Sequence, residues 1–342
     1  MDPGLTHAGL RGPDPPQDAG VSPWMQRAPF KTHEMRIASL LPSATEIICG
    51  LGLRDHLVLR SHECDHPAGV GALPFVTEPK YQADGTSYAI DQRIRALVQE
   101  GLSVYRVDAD RLRKARPDVI VTQHQCEVCA VSAREMEEAA CAVLDPAPEI
   151  ISLAPGGLED VLGDIHRVAN RLGVPERGDA LVSRLRERME GVRARVGAQV
   201  DGGPRPRVVT IEWLDPLMVA GNWIPELVEM AGGQNLLGEA GAHSPFVSWE
   251  VIQELEPEVV VVIPCGFTLE RTRREAGLLS RLPGWADLPA TRAGQVALAD
   301  GHHFFNRPGP RIVESLEILA EIFHPSAQAP EHRGSGWDWM EG

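Results

Sequence analysis

Short apolar runs alternate with amphipathic segments along most of the chain. The runs at 35–41 (MRIASLL), 118–122 (DVIVT), 207–211 (RVVTI) and 259–263 (VVVVI) have the length and composition of buried strands. Between such runs lie stretches with apolar residues at helical spacing, for example 90–101. This alternation predicts an α/β fold in which mainly parallel sheets are covered by helices on both faces.

One long helix interrupts this alternation. Residues 175–200 contain few turn signals, and apolar residues recur at helical spacing with charges between them. A helix of this kind is about 33 Å long, which is the width of a small domain. The sequence Asp201-Gly202-Gly203-Pro204 ends it, and a new α/β series follows. We interpret the helix as the connection between two lobes, the alternative being an ordinary surface helix of the second lobe.

The second series repeats the first. Asp110 and Glu250 each lie seven residues before a proline, and in both places an acidic residue and a buried strand follow that proline. Two such matches in the same order indicate a duplicated lobe. The proline-rich N-terminus has no apolar run and is predicted to be disordered. We therefore divide the chain into an extension (1–34), a first α/β lobe (35–156), linking helices (157–203), a second α/β lobe (204–325) and a tail (326–342).

Candidate binding residues follow the predicted strands. In open parallel sheets, ligands bind at the carboxyl ends of the strands. The loops there are rich in Trp, Phe, His and Cys, whereas Trp, Phe and Cys are uncommon in loops that are merely solvated. The aromatic side chains suit a large, flat or apolar ligand. The predicted ligand-binding residues are Ser43, His62, Glu63, Cys64, Gln123, Cys126, Glu212, Trp213, Asp215, Trp223, Cys265, Phe267, His303, Phe304 and Arg307.

The cysteines and histidines of these loops also predict a soft-metal site. Cys126 and Cys129 form a C-x-x-C pair, and with His62 and Cys64 they offer ligand types that suit zinc. A redox pair and buried free thiols are the alternatives. Of the adjacent His302 and His303, we expect only one to face the site, because neighbouring residues on an extended loop point in opposite directions.

Catalytic motifs do not account for the chain. It contains no G-x-S-x-G, no P-loop and no G-x-G-x-x-G after a strand. His62, Glu63 and Asp65 could transfer protons, but no nucleophile stands at a recognisable spacing from them. The sequence therefore favours a binding protein over an enzyme. The alternatives are a metal- or thiol-dependent enzyme in which Cys126 and Cys129 are active, and a metal-ion- or heme-binding protein that uses the same Cys/His-rich loops.

Charge and hydropathy restrict the partners and the location. The net charge of −15 disfavours non-specific binding to nucleic acid or to anionic membranes. No apolar run approaches the roughly 20 residues needed to span a bilayer, and residues 1–34 do not read as a signal peptide. We therefore expect a monomer that is cytoplasmic as the sequence is written, or periplasmic or at the cell surface if translation starts elsewhere.

Taken together, the motifs resemble a known family over residues 35–325. They are MRIASLLPSATEIICGLG, SHECDHP, TQHQCEVCAVS, EWLDP, GNWIPELVEMAGG, VSWE, PCGF, PGWADLPA and RPGPRIVESLEILAEIFHP. They are similar to the cobalamin-binding, BtuF-type family of ABC-transporter substrate-binding proteins. The resemblance implies two Rossmann-like lobes joined by a long rigid helix, with cobalamin or a related corrinoid held in the cleft as ligand and no cofactor required.

The resemblance also implies contact with a membrane permease. Asp110 and Glu250 correspond to surface acids that dock on arginines of the permease, although both could simply be acids that interact with a helix dipole. The chain departs from the family in its cysteine-rich SHECD and CEVC segments and in the missing export signal. These departures point to a subgroup that handles corrinoids or metal chelates inside the cell.

Overall fold

A computed structural model of the chain describes residues 35–99, 104–123, 140, 142–200, 204–325 and 330–341. The predicted N-terminal extension and the predicted ligands Cys126 and Cys129 lie outside the described residues.

The first half forms a four-stranded sheet with the order β2-β1-β5-β6, in which all neighbours are parallel. A separate antiparallel pair, β3 and β4, lies next to it in the chain. The strands are β1 (Ile37–Ser39), β2 (Leu57–Arg60), β3 (Thr77–Pro79), β4 (Tyr105–Val107), β5 (Val119–Gln123) and β6 (Glu149–Leu153). The central strands β1 and β5 are short and apolar, as strands covered on both faces must be.

The second half forms a six-stranded sheet with the order β12-β11-β10-β7-β8, and β9 pairs with β7. Strands β7, β9, β10 and β11 are parallel, whereas β8 and β12 are antiparallel. The strands are β7 (Arg207–Leu214), β8 (Leu217–Val219), β9 (Gln234–Asn235), β10 (Val259–Val262), β11 (Val296–Ala299) and β12 (Trp337–Trp339). The predicted α/β class with mainly parallel sheets is confirmed.

Helices cover both sheets. Those of the first half are α1 (Pro42–Gly50), α2 (Ser87–Gln99) and α3 (Ala109–Ala115). Between the sheets lie α4 (Leu158–Arg171) and α5 (Pro175–Val200). The second half contributes α6 (Ile224–Met230), α7 (Trp249–Glu254), α8 (Leu269–Glu275), α9 (Pro289–Arg292) and α10 (Ile312–Phe323). Within the described ranges, no helix has both the length and the apolar character needed to cross a membrane.

Helix α5 matches the long helix predicted from the sequence, and it is buried on one side. Leu181, Leu185, Met189 and Val192, the residues at helical spacing, are all at most 5% exposed. The helix packs against α4 and α10. One apolar core therefore runs from α1 through α4 and α5 to α10. Any change in lobe orientation has to be compatible with this shared core, because protein interiors are close-packed.

The internal repeat is visible in hydrogen bonds at the start of each sheet. In the first half, the Asp118 carboxylate accepts the backbone N–H of Arg36 at 2.8 Å. In the second half, the Glu258 carboxylate accepts the backbone N–H of Arg207 at 3.0 Å. The residues before the two prolines, Arg116 and Glu256, both have left-handed backbones, with φ of 44° and 43°. The two halves thus share local geometry as well as sequence pattern.

Two details differ from the sequence analysis. The spacing of Ser43 and Glu46 is that of a capping box, but α1 starts at Pro42 and its N-cap, Leu41, makes no side-chain cap bond. Glu46 is directed at arginines of the second half instead. In addition, residues 337–339, assigned to a tail, form an edge strand on β11. The buried Glu321 on α10 anchors this segment, because it accepts the indole N–H of Trp337 at 2.7 Å.

Candidate ligand-binding cleft

A cluster of charged residues joins the two lobes. Arg307, 3% exposed, donates to the two carboxylate oxygens of Asp65 at 2.5 and 3.0 Å. The guanidinium of Arg307 also lies 3.4 Å from Glu46, and Arg311 donates to both oxygens of Glu46 at 2.8 and 3.1 Å. The first lobe thus supplies acids and the second supplies cations. We call Glu46, Asp65, His302, His303, Arg307 and Arg311 the interlobe cluster.

The fold brings this cluster together at the carboxyl ends of the parallel strands. Glu46 belongs to α1, which follows β1, and Asp65 lies in the loop after β2. His302 and His303 lie in a helical turn, Gly301–Phe305, that follows β11. Gly309, in the same loop, lets the lobes approach, since a Cβ there would lie 3.3 Å from Cα of Ser43. The cluster therefore occupies the position where ligands bind in open α/β sheets.

Both histidines of the pair reach the first lobe. The Nε2 atoms of His302 and His303 each lie 3.4 Å from Oδ2 of Asp65. Nδ1 of His303 is 2.8 Å from the carboxylate of Asp300. The expectation that only one of the two histidines faces the site is wrong. It assumed an extended loop, whereas in a helical turn successive side chains are only about 100° apart.

The electrostatics favour ionised partners in the cluster. Burial raises the pKa of Asp65, but hydrogen bonds from His302, His303 and Arg307 outweigh burial and hold that pKa well below its usual range. Hydrogen bonds to Asp300 and Asp65 raise the pKa of His303 to about 9. Burial raises the pKa of Asp300, yet the bonds from His303 lower it overall. At neutral pH the cluster is therefore a set of opposed charges.

The predicted residues after β2 have different environments. Nδ1 of His62 lies 2.8 Å from the Thr77 hydroxyl, and burial lowers the pKa of His62. Glu63 is half-buried. Cys64 is 1% exposed and accepts a hydrogen bond from Thr45 at 3.0 Å. Burial raises the pKa of the Cys64 thiol to about 11. Cys64 therefore lies in the core beside Thr45, and its metal role stays a prediction.

An aromatic stack stands beside the histidines. The rings of Trp213 and Phe267 are 5.3 Å apart, and the guanidinium of Arg271 lies 4.0 Å from the Phe267 ring. The backbone N–H of His302 donates to the Phe267 carbonyl at 3.0 Å. Phe267 is buried, whereas Trp213 is half-exposed and its indole N–H donates to the carbonyl of the exposed Asp215. Trp213 is thus held in place and still accessible.

Glu212 and Cys265 lie behind this stack. The Glu212 side chain is buried and accepts the hydroxyl of Ser244 at 2.5 Å. Burial raises the pKa of Glu212, which favours the neutral acid. The backbone N–H of Cys265 donates to the Glu212 carbonyl at 3.1 Å. The buried Glu212 thus supports its surroundings, whereas the side chain of Cys265 is half-buried and its predicted contact with a ligand stays a prediction.

Four further predicted residues are buried or half-buried. The Trp223 indole N–H donates to the Phe305 carbonyl at 3.0 Å, and Trp223 is only 8% exposed. Phe304 lies beneath the guanidinium of Arg311, 5.3 Å from the ring centre. Ser43 is 2% exposed, and Gln123, at the end of β5, is half-buried. The structure therefore brings Trp213, Phe267, His303 and Arg307 together, and it places Trp223 and Ser43 in supporting positions.

The lobes also touch away from the cluster. The segment before α2 contacts α8, because Arg271 donates to the Gly85 carbonyl at 3.2 Å. The guanidinium of Arg95 on α2 lies 5.0 Å from the centre of the Phe246 ring. Glu226 accepts the first free N–H of α4, that of Leu158, at 2.7 Å. The structure thus shows the lobes in contact around the cleft.

The two predicted docking acids occupy matching positions. Asp110 lies in the first turn of α3 and Glu250 in the first turn of α7, and both are exposed. Asp110 pairs with Arg113 at 2.5 Å. Hydrogen bonds from its own backbone N–H and from Ser248 lower the pKa of Glu250. Each acid therefore projects a negative charge from an equivalent helix of its lobe.

The predicted ligand-binding residues leave out four members of the cluster, namely Glu46, Asp65, His302 and Arg311. Glu46 is a lone acid in the apolar segment 44–51, and Arg311 stands just before the apolar helix α10. A buried charge has to be paired. A single charge within an apolar helix is therefore the signal that could have drawn attention to Glu46.

Comparison with known proteins gives a match over most of the chain. A family model described as periplasmic binding protein matches residues 37–302. The vitamin B12-binding protein of Vibrio parahaemolyticus is 24% identical over 290 residues, which cover 84% of this chain and 89% of that protein. The vitamin B12-binding protein of Photorhabdus laumondii is 22% identical over 288 residues, covering 84% of this chain and 87% of the relative.

Solved structures give the same picture of the fold. A periplasmic heme-binding protein of Pseudomonas aeruginosa superposes with a TM-score of 0.65 at 23% identity, covering 86% of this chain and 94% of that one. The vitamin B12-binding protein BtuF of Vibrio cholerae superposes with a TM-score of 0.57 at 21% identity, covering 86% and 98%. These likenesses confirm the predicted two-lobed α/β fold and the resemblance from which it was inferred.

Proposed function

The chain belongs to the periplasmic binding protein family, and from that premise we propose that it binds a corrinoid, or a similar large metal chelate, in the cleft between its lobes. Binding is reversible and leaves the ligand chemically unchanged. The ligand is then handed to an ABC-type permease or to a protein inside the cell.

The observation that carries the proposal is the half-exposed Trp213, fixed on Phe267 and next to the interlobe cluster. A macrocycle has a flat apolar face and a polar rim. Trp213 can cover part of the face, because an aromatic ring offers a large contact area with few rotatable bonds. The side chains of His302 and His303 are 22% and 34% exposed, and the backbone N–H of His302 donates to the carbonyl of Phe267, the ring partner of Trp213. The site thus offers apolar and polar contacts at adjacent positions.

The charges of the cluster support a corrinoid over heme. Corrinoids carry uncharged amides around the ring, and amides can donate to carboxylates and accept from guanidinium groups. Heme carries two carboxylates that need cations. Arg307 and Arg311 already pair with Asp65 and Glu46. An amide of a corrinoid can hydrogen-bond to these groups without displacing Asp65 or Glu46. A carboxylate of heme has to compete with one of these two acids for its arginine.

Heme is the second candidate, for one specific reason. The imidazoles of His302 and His303 are both partly accessible at the cleft, and imidazole is a common axial ligand of heme iron. Solved structures with this fold include a heme-binding protein.

Delivery to a permease is proposed from Asp110 and Glu250. They are exposed at equivalent helix starts of the two lobes, so a permease with two related subunits could contact both. The place of action follows from the partner. A permease would put the protein outside the cytoplasmic membrane, and an intracellular acceptor would put it inside.

Titration of the purified chain with cyanocobalamin, cobinamide, hemin and Zn²⁺ tests the ligand. We expect calorimetry to give a corrinoid Kd below about 10 μM, which is roughly −7 kcal/mol. Substitution Trp213→Ala should weaken corrinoid binding about tenfold, the equivalent of the roughly 1.4 kcal/mol that an aromatic contact can supply. Trp339→Ala, at a half-buried tryptophan on the edge strand β12, is the matched control and should bind normally.

Two results would overturn the proposal. One is the absence of binding below about 10 μM for every corrinoid tested. The other is an equal loss of affinity in Trp213→Ala and Trp339→Ala, which would show that the cleft tryptophan has no special role. Tight hemin binding without corrinoid binding would select the second candidate.

A further inference from the structure

We propose that Asp65, His302 and His303 form a binding site for a divalent transition-metal ion, such as Zn²⁺ or Co²⁺, held between the two lobes. This site differs from the one predicted from Cys64, Cys126, Cys129 and His62. It shares these residues with the proposed chelate site, but it does not depend on the corrinoid proposal.

The first argument is the spacing of the ligand atoms. Nε2 of His302 and Nε2 of His303 each lie 3.4 Å from Oδ2 of Asp65, and the three side chains offer ligand atoms that are all within 4.8 Å of one another. Zinc binds imidazole nitrogen and carboxylate oxygen at about 2.0–2.2 Å, so neighbouring ligands of a tetrahedral ion are about 3.3–3.5 Å apart. Asp65 and either histidine already have this separation.

The ligand types fit as well. Two imidazoles and one carboxylate are a common set for metal sites that keep open positions for water or substrate. All three side chains are partly exposed, at 22, 34 and 41%. The remaining positions of a bound ion could therefore be filled from the cleft.

The second argument is the partner behind His303. Asp300, 5% exposed, lies 2.8 Å from Nδ1 of His303 and also accepts the backbone N–H of His303 at 2.8 Å. A metal-ligating histidine almost always donates its other ring N–H to such a group, which fixes the ring and directs the free nitrogen toward the ion. In this structure Asp300 directs Nε2 of His303 toward Asp65.

Arg307 is the competitor for this position. One of its nitrogens lies 2.9 Å from Nε2 of His302 and 3.0 Å from Asp65. A dication in the same place would repel the guanidinium, so binding requires Arg307 to withdraw. Glu46, 3.4 Å from the other terminal nitrogen, is placed to keep the charge of Arg307 paired. When the ion replaces Arg307 at Asp65, Arg307 can remain paired with Glu46. No isolated buried charge is then left.

Metal titration of the full chain tests the site. A Cys126→Ser/Cys129→Ser background removes the two thiols of the C-x-x-C pair. In that background we expect one Co²⁺ or Zn²⁺ per chain, measured by visible absorption for Co²⁺ and by calorimetry for Zn²⁺. Asp65→Asn, His302→Gln and His303→Gln should each weaken binding by at least about 100-fold, more than loss of an outer partner usually does.

Two further variants calibrate this result. Asp300→Asn should weaken the affinity by about 10- to 100-fold, as expected for an outer-shell partner. His332→Gln is the matched control, because His332 is a half-buried histidine that faces a carboxylate, Glu317 at 3.2 Å, outside the cluster. It should bind normally. Circular dichroism and thermal unfolding establish that each variant is folded.

The outcomes separate this inference from the proposed function. The metal site is overturned if the Cys126→Ser/Cys129→Ser chain binds neither ion more tightly than about 1 mM, or if binding survives all three ligand substitutions. The metal in a planar macrocycle has only one open position on each face, so it can take only one of the three side chains. The chain could bind a corrinoid through one histidine alone and bind neither free ion. That result would leave the proposed function intact and exclude the ion site.

Discussion

The two lobes are most alike where their sheets begin and least alike where the sheets face each other. At the start of the first sheet, Asp118 accepts the backbone N–H of Arg36, and at the start of the second, Glu258 accepts that of Arg207. At the cleft, the first lobe supplies the acids of the interlobe cluster and the second supplies its arginines and histidines. Both lobes need the same bonds to begin a sheet, whereas opposite charges let the lobes bind each other.

The backbone differs as well between the strands that pair with β1 and β7, which are β2 in the first lobe and β9 in the second. In the first lobe, β2 has four residues and leads into the long loop that carries Asp65. In the second, the strand at the equivalent edge of β7 is β9, with only two residues. The second lobe also has antiparallel strands, β8 and β12, on the edges of its sheet. Loops over a rigid sheet can vary in this way without disturbing the sheet.

The largest expected effect comes from removing the cation that joins the lobes. Arg307→Met leaves Asp65 and the buried Glu46 without this partner. Removing one member of a buried ion pair costs about 3–5 kcal/mol of unfolding free energy, and Arg311, which still pairs with Glu46, should keep the loss near the lower end. Denaturant unfolding measures it.

Arg186→Met is the matched control for Arg307. Arg186 pairs with Glu159 on the surface, where the two side chains are 52% and 68% exposed. An exposed pair is worth about 0–1 kcal/mol. If both variants lose the same small amount of unfolding free energy, the interlobe cluster does not stabilise the contact between the lobes. The difference between the start of the sheets and the cleft would then have no energetic counterpart.

A smaller effect, equal in both halves, is expected where the lobes are alike. Asp118→Ala and Glu258→Ala each remove one carboxylate acceptor of a backbone N–H, which should cost about 1 kcal/mol apiece. The double variant should lose the sum within about 0.5 kcal/mol, since the sites share no partner. A loss confined to one half would show that the duplicated bonds are no longer equivalent. The denaturant midpoints of the three variants measure these losses, provided that the unfolding free energy depends on denaturant concentration with the same slope in all of them.

The sequence is most informative about features that are local in the chain. The strands around Pro117 and Pro257 and the helix 175–200 follow from periodicity and breakers, because neighbouring residues determine them. Trp213, which lies next to the last residue of β7, and Phe267, which follows β10, were predicted from the rule that binding residues stand at the carboxyl ends of strands, and their binding role stays a prediction. The pairing of Glu46 with Arg311 could not be predicted, because 265 residues separate them and their contact depends on how the lobes are oriented.

The errors have physical causes too. His302 and His303 were assigned to an extended loop, but the turn after β11 is helical and directs both rings toward Asp65. The metal role of Cys64 is untested, but the environment of this residue, buried beside Thr45 of α1, could likewise not be predicted from its residue type. Composition reveals which chemistry a loop could perform, whereas the direction of each side chain depends on the local backbone.

Substitution of the docking acids Asp110 and Glu250 should have the smallest effect on the isolated protein. It also tests how alike the two lobes are on their outer faces. Asp110→Lys and Glu250→Lys reverse exposed charges that contact no ligand, so corrinoid affinity should not change measurably, and stability should fall only slightly because each helix start loses a favourable negative charge. Uptake of labelled cyanocobalamin by cells should fall in both variants and further in the double variant, because each lobe is proposed to contact its own permease subunit. Glu190→Lys reverses an exposed charge on α5 and should leave uptake normal.

If only one reversal lowers uptake, the lobes have diverged on their outer faces as they have at the cleft. If neither matters, the two acids are helix-terminal residues without a partner, and their equivalence is a trace of the duplication alone.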